Sequence, residues 1–108
     1  MLGDPRRIVR AVLVGEAMVG YVCCFPLDDQ EHVGYWIDRA FWGRGIASRA
    51  LELLLREVVG RPLYATVATG NGASLRVLRK CGFVVEQIRH SPATDRYAEC
   101  EEAVLVLR

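Results

Sequence analysis

The chain has 108 residues, of which 52% are hydrophobic and 25% are charged, a composition typical of one globular domain and not of a disordered or fibrous protein. Because 14 Lys and Arg residues nearly balance 13 Asp and Glu residues, the net charge of +1 excludes a strongly basic surface that would bind nucleic acid or an anionic membrane as its main partner. No apolar run approaches the ~20 residues of a membrane span and no secretory signal follows the start, so we predict a single domain, residues 1–108, in the cytoplasm.

Cysteine and histidine are too scattered along the chain to indicate a metal site or a disulfide framework. There is no Cys-x-x-Cys motif, and two adjacent cysteines point to opposite faces if they lie in a strand. In a reducing compartment such residues usually serve as small, partly buried hydrophobes. We therefore expect no metal, no disulfide and no ligand role for histidine. The residues concerned are Cys23, Cys24, Cys81, Cys100, His32 and His90.

The first part of the chain predicts three β-strands. Residues 7–14 and 17–25 are rich in β-branched and apolar residues, and Gly15-Glu16 between them indicates a tight hairpin turn. A polar loop with the sequence PLDDQEH follows. The segment HVGYWI at residues 32–37 then supplies the residue types of a central strand.

An amphipathic helix begins at Ile46, because apolar residues recur from there at intervals of three and four. The pattern ends at Gly60 and Pro62, residue types that stop helices. The apolar positions of this predicted helix are Ile46, Ala47, Ala50, Leu51, Leu54, Leu55 and Val58.

The rest of the chain alternates again between strand and helix patterns. A strand at 63–69 leads to a shorter helix at about 71–81, which Gly82 would end in a left-handed cap. Two further strands, at 83–90 and 98–107, complete the order β-β-β-α-β-α-β-β. The sequence therefore predicts a mixed α/β (α+β) fold, in which a partly antiparallel sheet is covered by two helices.

The segment FWGRGIAS, residues 41–48, joins the third strand to the first helix through two glycines. Glycine costs about 1 kcal/mol of stability relative to alanine inside a helix, so two glycines at a helix start indicate that a backbone without side chains is needed here. A helix start presents unpaired N–H groups, and Gly43 and Gly45 would let a phosphate reach them while Arg44 adds a positive charge. Two alternatives are a tight turn without a ligand, and a dinucleotide fingerprint that lacks its third glycine.

A second motif, NGASLRVLRKCGF at residues 71–83, follows one helix and one strand later. Together the two segments resemble the GNAT superfamily of acyl-CoA-dependent N-acetyltransferases, over about residues 7–107. The triplet at residues 45–47 matches the end of that family's Gln/Arg-x-x-Gly-x-Gly/Ala segment, whereas Trp42 stands at its Gln/Arg position. The stretch YWIDRAFWGRGIAS is especially similar to the branch of ribosomal-protein N-terminal acetyltransferases (RimJ/RimL-like).

The resemblance implies a GNAT-like, largely antiparallel sheet and acetyl-CoA as cosubstrate. Backbone groups around Ile37 would line the pantetheine arm, and amides of residues 43–47 would hold the pyrophosphate. Asn71 would hydrogen-bond the pantetheine, and Ser74 would lie near the thioester sulfur. The residues implied to bind acetyl-CoA are Trp36, Ile37, Asp38, Trp42, Gly43, Arg44, Gly45, Ile46, Ala47, Asn71 and Ser74.

Three of these residues have simpler alternative roles. Trp36 could be an aromatic strand residue that packs in the core. Asn71 could serve only as a helix N-cap, a position that favours asparagine. Ser74 could be an ordinary serine in the first turn of a helix.

Departure of the thiolate and stabilisation of the oxyanion each have a candidate. A backbone N–H near Trp36 or Ile37 would donate to the oxyanion. A thiol has a pKa of about 8.5, so the leaving thiolate needs only modest help, which the hydroxyl of Ser74 could give. Many family members carry a tyrosine four residues after this serine, but Leu78 occupies that place here.

The base that takes the amine proton is the least defined part of the predicted site. Glu31 stands at the entrance of the third strand and Glu99 at the start of the last, two places where carboxylates in the family relay this proton through water. We rank Glu31 first, with solvated strand-end charges as the alternative for both. His32 has an ordinary pKa of about 6.5 but no other distinguishing feature.

The predicted function is transfer of an acetyl group from acetyl-CoA to a primary amine of a small molecule or a protein N-terminus. Family members usually begin with a strand and two helices that form one wall of the acceptor pocket, and the sequence does not include them. The main alternative is therefore a catalytically silent acyl-CoA-binding or regulatory module, and a weaker one is a dinucleotide-binding module.

A strand at residues 7–14 without a neighbour would expose unpaired backbone groups and the apolar side chains of Ile8, Val9, Val12 and Val14. The arginines at positions 6, 7 and 10 would discourage indiscriminate edge pairing. A two-fold contact is the commonest way to cover such a surface, so we predict a homodimer in which the partner chain covers this edge or completes the acceptor pocket.

Overall fold

The computed structural model describes residues 7–95 and 99–108. Its elements follow the predicted order β-β-β-α-β-α-β-β, with a short 3₁₀ turn added after the third strand. Ala98, the predicted start of the last strand, and Arg6 lie outside the described residues. The elements are β1 (Ile8–Val14), β2 (Ala17–Leu27), β3 (Gln30–Ile37), the 3₁₀ turn (Arg39–Phe41), α1 (Ile46–Glu57), β4 (Leu63–Ala68), α2 (Gly72–Lys80), β5 (Val84–Ser91) and β6 (Cys100–Leu107).

The six strands form one sheet in the order β1-β2-β3-β4-β6-β5. Neighbouring strands pair antiparallel, except for β3 and β4, which are parallel. The exception arises because α1 carries the chain back across the sheet between these two strands, and a crossover of this kind joins parallel neighbours. The predicted mixed fold with a largely antiparallel sheet and two helices is confirmed.

The predicted loop PLDDQEH is wrong in its extent. β2 continues through Leu27 and β3 begins at Gln30, so only Asp28 and Asp29 form the turn. Both aspartates have positive φ, 51° and 62°. Two left-handed residues give a turn whose twist matches that of the paired strands, and aspartate tolerates this region better than most residues. The hairpin turn between β1 and β2 is confirmed, with Gly15 at φ 61°.

Both helices pack on one face of the sheet and form the core with it. Leu51 and Leu54 of α1 and Leu78 of α2 are buried against strand residues that include Leu63 and Leu105. The predicted amphipathic pattern of α1 is thus confirmed, because its inward positions are the buried ones. No helix among the described residues is long and apolar enough to cross a membrane.

On the opposite face of β1, β2 and β3, no helix of the described residues covers the sheet. Pleating sends alternate residues to opposite faces, so Ile8 and Val12 pack against the core while their neighbours Val9 and Leu13 are 55% and 59% exposed. Strand pairing places the exposed rings of Tyr21 and Trp36 side by side, with 6.5 Å between their centroids. We call this surface the open face; its residues are Val9, Leu13, Met18, Tyr21 and Trp36.

Candidate functional site

The loop between the 3₁₀ turn and α1 depends on two glycines. Gly43 and Gly45 have φ values of 78° and 75°, in the left-handed region that favours glycine. A Cβ atom added at either position would meet no heavy atom within 4 Å. The backbone conformation therefore requires glycine here, and the space in front of the loop is open to a ligand.

The loop ends at an uncapped helix start. Gly45 is the N-cap of α1 and has no side chain that could bond the first turn. The Arg49 N–H donates to the Gly45 carbonyl at 3.0 Å, so the N–H groups of residues 46–48 have no acceptor within the helix. Together with the positive end of the helix dipole, these groups form an anion-binding surface.

These N–H groups border a cavity of about 460 Å³, which we call the loop cavity. It lies between β3, the glycine loop, α1 and α2, and combines apolar walls with a few polar groups. The lining residues are Tyr35, Trp36, Ile37, Phe41, Trp42, Gly43, Gly45, Ile46, Ala47, Ser48, Asn71, Ala73, Ser74, Arg76, Val77 and Lys80.

Side chains near the loop fasten it to the end of β3. The Trp42 indole Nε1 donates to the Ile37 carbonyl at 2.8 Å, which fixes the ring against the strand. The Asp38 carboxylate accepts from the Ala40 N–H at 3.0 Å and caps the 3₁₀ turn. Asp38 is not among the residues that line the loop cavity, so its carboxylate shapes the loop from outside.

Arg44 is not among the residues that line the loop cavity. Its guanidinium lies over the Phe41 ring, 5.1 Å from the centroid, and it lines a different cavity of about 540 Å³ between β1 and α1. The predicted positive charge is therefore next to the glycine loop but not inside the cavity that the loop borders.

β3 and β4 separate immediately after their first contact. Only His32 and Tyr64 pair across the two strands, and beyond them a cavity of about 270 Å³ opens, which we call the gap cavity. On this side, every second N–H and carbonyl of β3 lacks a ladder partner. The gap cavity is lined by Val33, Gly34, Tyr35, Ala65, Thr66, Val67, Ala68, Asn71, Ser74 and Leu78.

Gly20 of β2 allows a close approach between two strands, and the sequence analysis did not identify it. A Cβ at Gly20 would collide with the main-chain carbonyl oxygen of Trp36 and crowd Ile37. Glycine therefore lets β2 run close to the end of β3 that borders the loop cavity. A glycine inside a strand is the available sequence signal, since it often marks a close backbone approach.

Tyr35, Asn71 and Ser74 line both cavities and so mark their junction. Asn71 is the N-cap of α2, and its Oδ1 accepts from the Ser74 N–H at 3.1 Å. The amide NH₂ of Asn71 keeps two donors beyond this bond. The hydroxyls of Tyr35 and Ser74 are 3.0 Å apart, a contact that no local sequence pattern indicates. Trp36, by contrast, is not a core residue, because its side chain is 52% exposed.

The two predicted carboxylates lie away from this junction. Glu31 is at the start of β3, before the strands separate, and its Oε2 is 3.7 Å from the Cys24 thiol. Burial, together with Glu31, raises the pKa of that thiol to about 11. Glu99 is exposed and its carboxylate is 3.0 Å from the His90 Nε2. Neither carboxylate lines the loop cavity or the gap cavity.

His32 is a packed residue between strands. Only 7% of its surface is exposed, and its ring lies between those of Phe25 and Tyr64, with centroids 5.9 and 5.8 Å away. Burial lowers the pKa of His32 below 6.5, and it lines neither of the two cavities.

The cysteines have the character of inert hydrophobes. All four are free, and burial raises the pKa values of Cys23, Cys24 and Cys81. A raised pKa keeps a thiol protonated and unreactive at neutral pH. Within residues 7–95 and 99–108, no group of three or more His, Cys, Asp or Glu residues is arranged to hold a metal ion.

The chain matches a protein-family model described as an acetyltransferase (GNAT) domain over residues 4–84. Among curated proteins, none matches the sequence. Solved structures with the same fold include a GNAT-family acetyltransferase from Streptococcus pneumoniae, with a TM-score of 0.82 and 19% sequence identity. That match covers 98% of this chain and 68% of the other.

Two further matching structures are also described as acetyltransferases, one of them a putative one. YncA from Salmonella typhimurium, solved with its cofactor acetyl-CoA, matches with a TM-score of 0.81 and 17% identity over 93% of this chain and 63% of its own. The ribosomal-protein-S5-alanine acetyltransferase from Vibrio fischeri matches with a TM-score of 0.74 and 22% identity, over 85% and 55% of the two chains. The chain thus spans between 55% and 68% of the length of these three proteins.

Proposed function

The chain belongs to the GNAT acetyltransferase domain family, and on that premise we propose that it transfers an acetyl group from acetyl-CoA to a primary amine. The observation that carries the proposal is the continuity of the site. A glycine loop at an uncapped helix start opens into the loop cavity, which meets the gap between β3 and β4 at Asn71 and Ser74.

The proposal places acetyl-CoA in one orientation. Its pyrophosphate would bind the N–H groups of residues 46–48, where both the bare backbone and the helix dipole favour an anion. The pantetheine arm would follow the end of β3 in the loop cavity, with the free amide NH₂ of Asn71 as a donor. The thioester would then lie at the junction, beside the Ser74 hydroxyl and the unpaired backbone groups of β3.

The chemistry at the junction is attack of a neutral amine on the thioester carbonyl. Backbone N–H groups of β3 that face the gap would stabilise the oxyanion, and the Ser74 hydroxyl would donate a hydrogen bond to the departing thiolate. Glu31 and Glu99 are not part of this proposal, because neither borders the junction. That same observation favours the second candidate function, an acyl-CoA-binding module without transferase activity.

Three finer assignments belong to the proposal. The acceptor would be an amine of a small molecule or a protein N-terminus, and the branch would be that of the ribosomal-protein acetyltransferases, which the Vibrio fischeri structure represents among the matches. We further propose a homodimer that covers the open face, because this surface leaves five large apolar residues more than two-fifths exposed. The cytoplasmic location stays a prediction.

Two measurements on the purified chain test the proposed function. Calorimetry with acetyl-CoA, CoA and NAD should show binding of the first two only, and binding of NAD without CoA would overturn the proposal. A CoA-release assay with a panel of primary amines then separates the two candidates. Release with at least one amine supports the transferase, whereas tight acetyl-CoA binding with no release supports the silent module.

A further inference from the structure

A hydrogen bond between two side chains joins β3 to α2 at the junction of the cavities. The hydroxyls of Tyr35 and Ser74 are 3.0 Å apart, although the residues are 39 positions apart in sequence. Both line the loop cavity and the gap cavity. The pair therefore borders the place where the proposed cosubstrate passes from one cavity to the other.

The direction of this hydrogen bond follows from acidity. A phenol, with an ordinary pKa of about 10, is a much stronger acid than an aliphatic hydroxyl, so the Tyr35 O–H donates and the Ser74 Oγ accepts. Burial raises the pKa of Tyr35, which keeps the phenol neutral and able to donate. The hydrogen of Ser74 is then directed away from Tyr35, and no acceptor for it is found in the described part of the chain.

Ser74 is also fixed through its backbone, and it is the hydroxyl-bearing residue of α2 at the junction. Its N–H donates to the Asn71 Oδ1 at 3.1 Å, which places the serine in the first turn of α2. One turn later, the apolar side chain of Leu78 fills the gap wall and is 1% exposed. Beside the NH₂ group of Asn71, which the proposed function assigns to the pantetheine arm, the Ser74 hydroxyl is therefore the donor that α2 offers at the junction.

We propose that Tyr35 is a positioning residue that holds the Ser74 hydroxyl as hydrogen-bond donor to the thiolate of departing CoA. The inference rests on the proposed function. When the tetrahedral intermediate collapses, the C–S bond breaks and its electron pair goes to sulfur, which accepts the Ser74 hydrogen bond. The thiolate finally takes up one proton for the one that the attacking amine loses, so the Tyr35–Ser74 pair ends the cycle unchanged.

The order of acidities favours a hydrogen bond over proton transfer from the pair. A cysteine thiol has a pKa of about 8.5 and a phenol one of about 10, and burial raises the pKa of Tyr35 further, so moving a proton from Tyr35 to the thiolate would be uphill. Donation without transfer stabilises the sulfur while both hydroxyls keep their protons. A hydrogen bond to a charged acceptor is also about twice as strong as one between neutral groups, so the pair acts mainly on the thiolate.

The pKa of the CoA thiol in the complex reports this interaction directly and needs no acceptor amine. We would titrate CoA bound to each variant, following thiolate absorbance in the ultraviolet. Removing the donor with Ser74→Ala should raise the pKa of the bound thiol by about one unit. Tyr35→Phe should raise it by a smaller amount, because the serine remains but loses its fixed orientation.

The double variant and a matched control complete the test. Because Tyr35 acts through Ser74, the variant with both Tyr35→Phe and Ser74→Ala should give the same thiol pKa as Ser74→Ala alone. Tyr64→Phe also removes one phenol hydroxyl from the sheet, and should behave as the wild type because Tyr64 lines neither cavity.

The outcomes separate this inference from the proposed function. If CoA binds and Tyr35→Phe leaves the thiol pKa unchanged, or if the double variant exceeds Ser74→Ala, the positioning role is overturned while the CoA site stands. If the wild-type chain binds neither CoA nor acetyl-CoA, the proposed function fails and the inference fails with it.

Discussion

Gly15 and Gly45 have the same kind of backbone conformation in different surroundings. Their φ values are 61° and 75°, and a Cβ at either position would meet nothing within 4 Å. A side chain should therefore strain both sites alike, whereas only Gly45 borders the loop cavity. The two positions form a matched pair that separates backbone strain from loss of a ligand site.

Gly45→Glu should abolish acetyl-CoA binding, because a side chain and a negative charge would stand where the pyrophosphate meets the N–H groups of α1. Gly15→Glu should bind as the wild type does, although both variants should lose about 1–2 kcal/mol of stability from the left-handed conformation. Calorimetry and thermal unfolding measure the two effects. A folded Gly45→Glu variant with unchanged affinity would remove the phosphate loop from the proposed site.

Asn71 uses one end of its amide as a cap and leaves the other free, so substitutions can separate the two roles. Asn71→Ala should cost about 1 kcal/mol of stability through the lost cap and should also weaken acetyl-CoA binding. Asn71→Asp keeps an acceptor oxygen for the Ser74 N–H but has no NH₂ group, so it should keep the stability and lose affinity. If affinity is intact in both variants, the residue is a cap alone.

At the scale of elements, β3 links the two parts of the sheet. It pairs with β2 along its whole length, but it meets β4 only at His32 and Tyr64. The His32 ring lies between Phe25 of β2 and Tyr64 of β4, so this one side chain packs across the point where the gap begins. Protonation of His32 would place a charge inside that packing.

Stability should therefore decrease in mildly acidic solution. Burial lowers the pKa of His32, and Arg89 adds to this effect while Asp28 and Glu31 oppose it. Above the unfolded pKa of about 6.5 both states are neutral, and as pH falls below it the unfolded state takes up the proton first, so the free energy of unfolding falls.

Denaturant unfolding at about pH 7.5 and about pH 5.5 checks this expectation, because the window lies around the ordinary pKa of histidine and above those of carboxylates. The variant His32→Phe keeps a ring between the strands and cannot be protonated, so its stability should fall less over this interval. An equal fall in the wild type and in the variant would show that other groups are responsible.

At the scale of the whole molecule, the two helices within residues 7–95 and 99–108 cover one face of the sheet. The open face continues to the edge strand β1, where Val9 and Leu13 are more than half exposed. Two of the arginines expected to protect this edge, Arg7 and Arg10, contact other side chains. Arg10 pairs with Glu57 of α1 at 3.0 Å, and the Arg7 guanidinium lies over the Phe25 ring.

The proposed homodimer predicts a mass of twice the 12.1 kDa of one chain by light scattering at micromolar concentration. Leu13→Glu places a charge on the open face and should yield monomers, since a buried unpaired charge opposes association. Val59→Glu is the control, because Val59 is 78% exposed after the end of α1, away from this face. A wild-type mass of one chain would contradict the dimer.

The sequence by itself determined the element order and the glycine loop, because both depend on the types and spacing of residues that are close together in the chain. Residues three and four apart share a helix face, residues two apart share a strand face, and glycine supplies positive φ, so α1, β1 and the loop at Gly43–Gly45 follow from neighbouring residues. The turn at Asp28-Asp29 escaped this reasoning because polar composition alone does not distinguish a loop from the end of a strand.

Only the tertiary structure decided which side chains share the site. The distance between Tyr35 and Ser74 depends on how α2 crosses the sheet, and the distance from Glu31 to the junction depends on where β3 leaves β4. Strand order and the point of separation are set by the packing of the whole core, through contacts between residues far apart in sequence. A local sequence pattern does not indicate such contacts. The positions of Glu31 and Tyr35 relative to the site could therefore be found only in the folded chain.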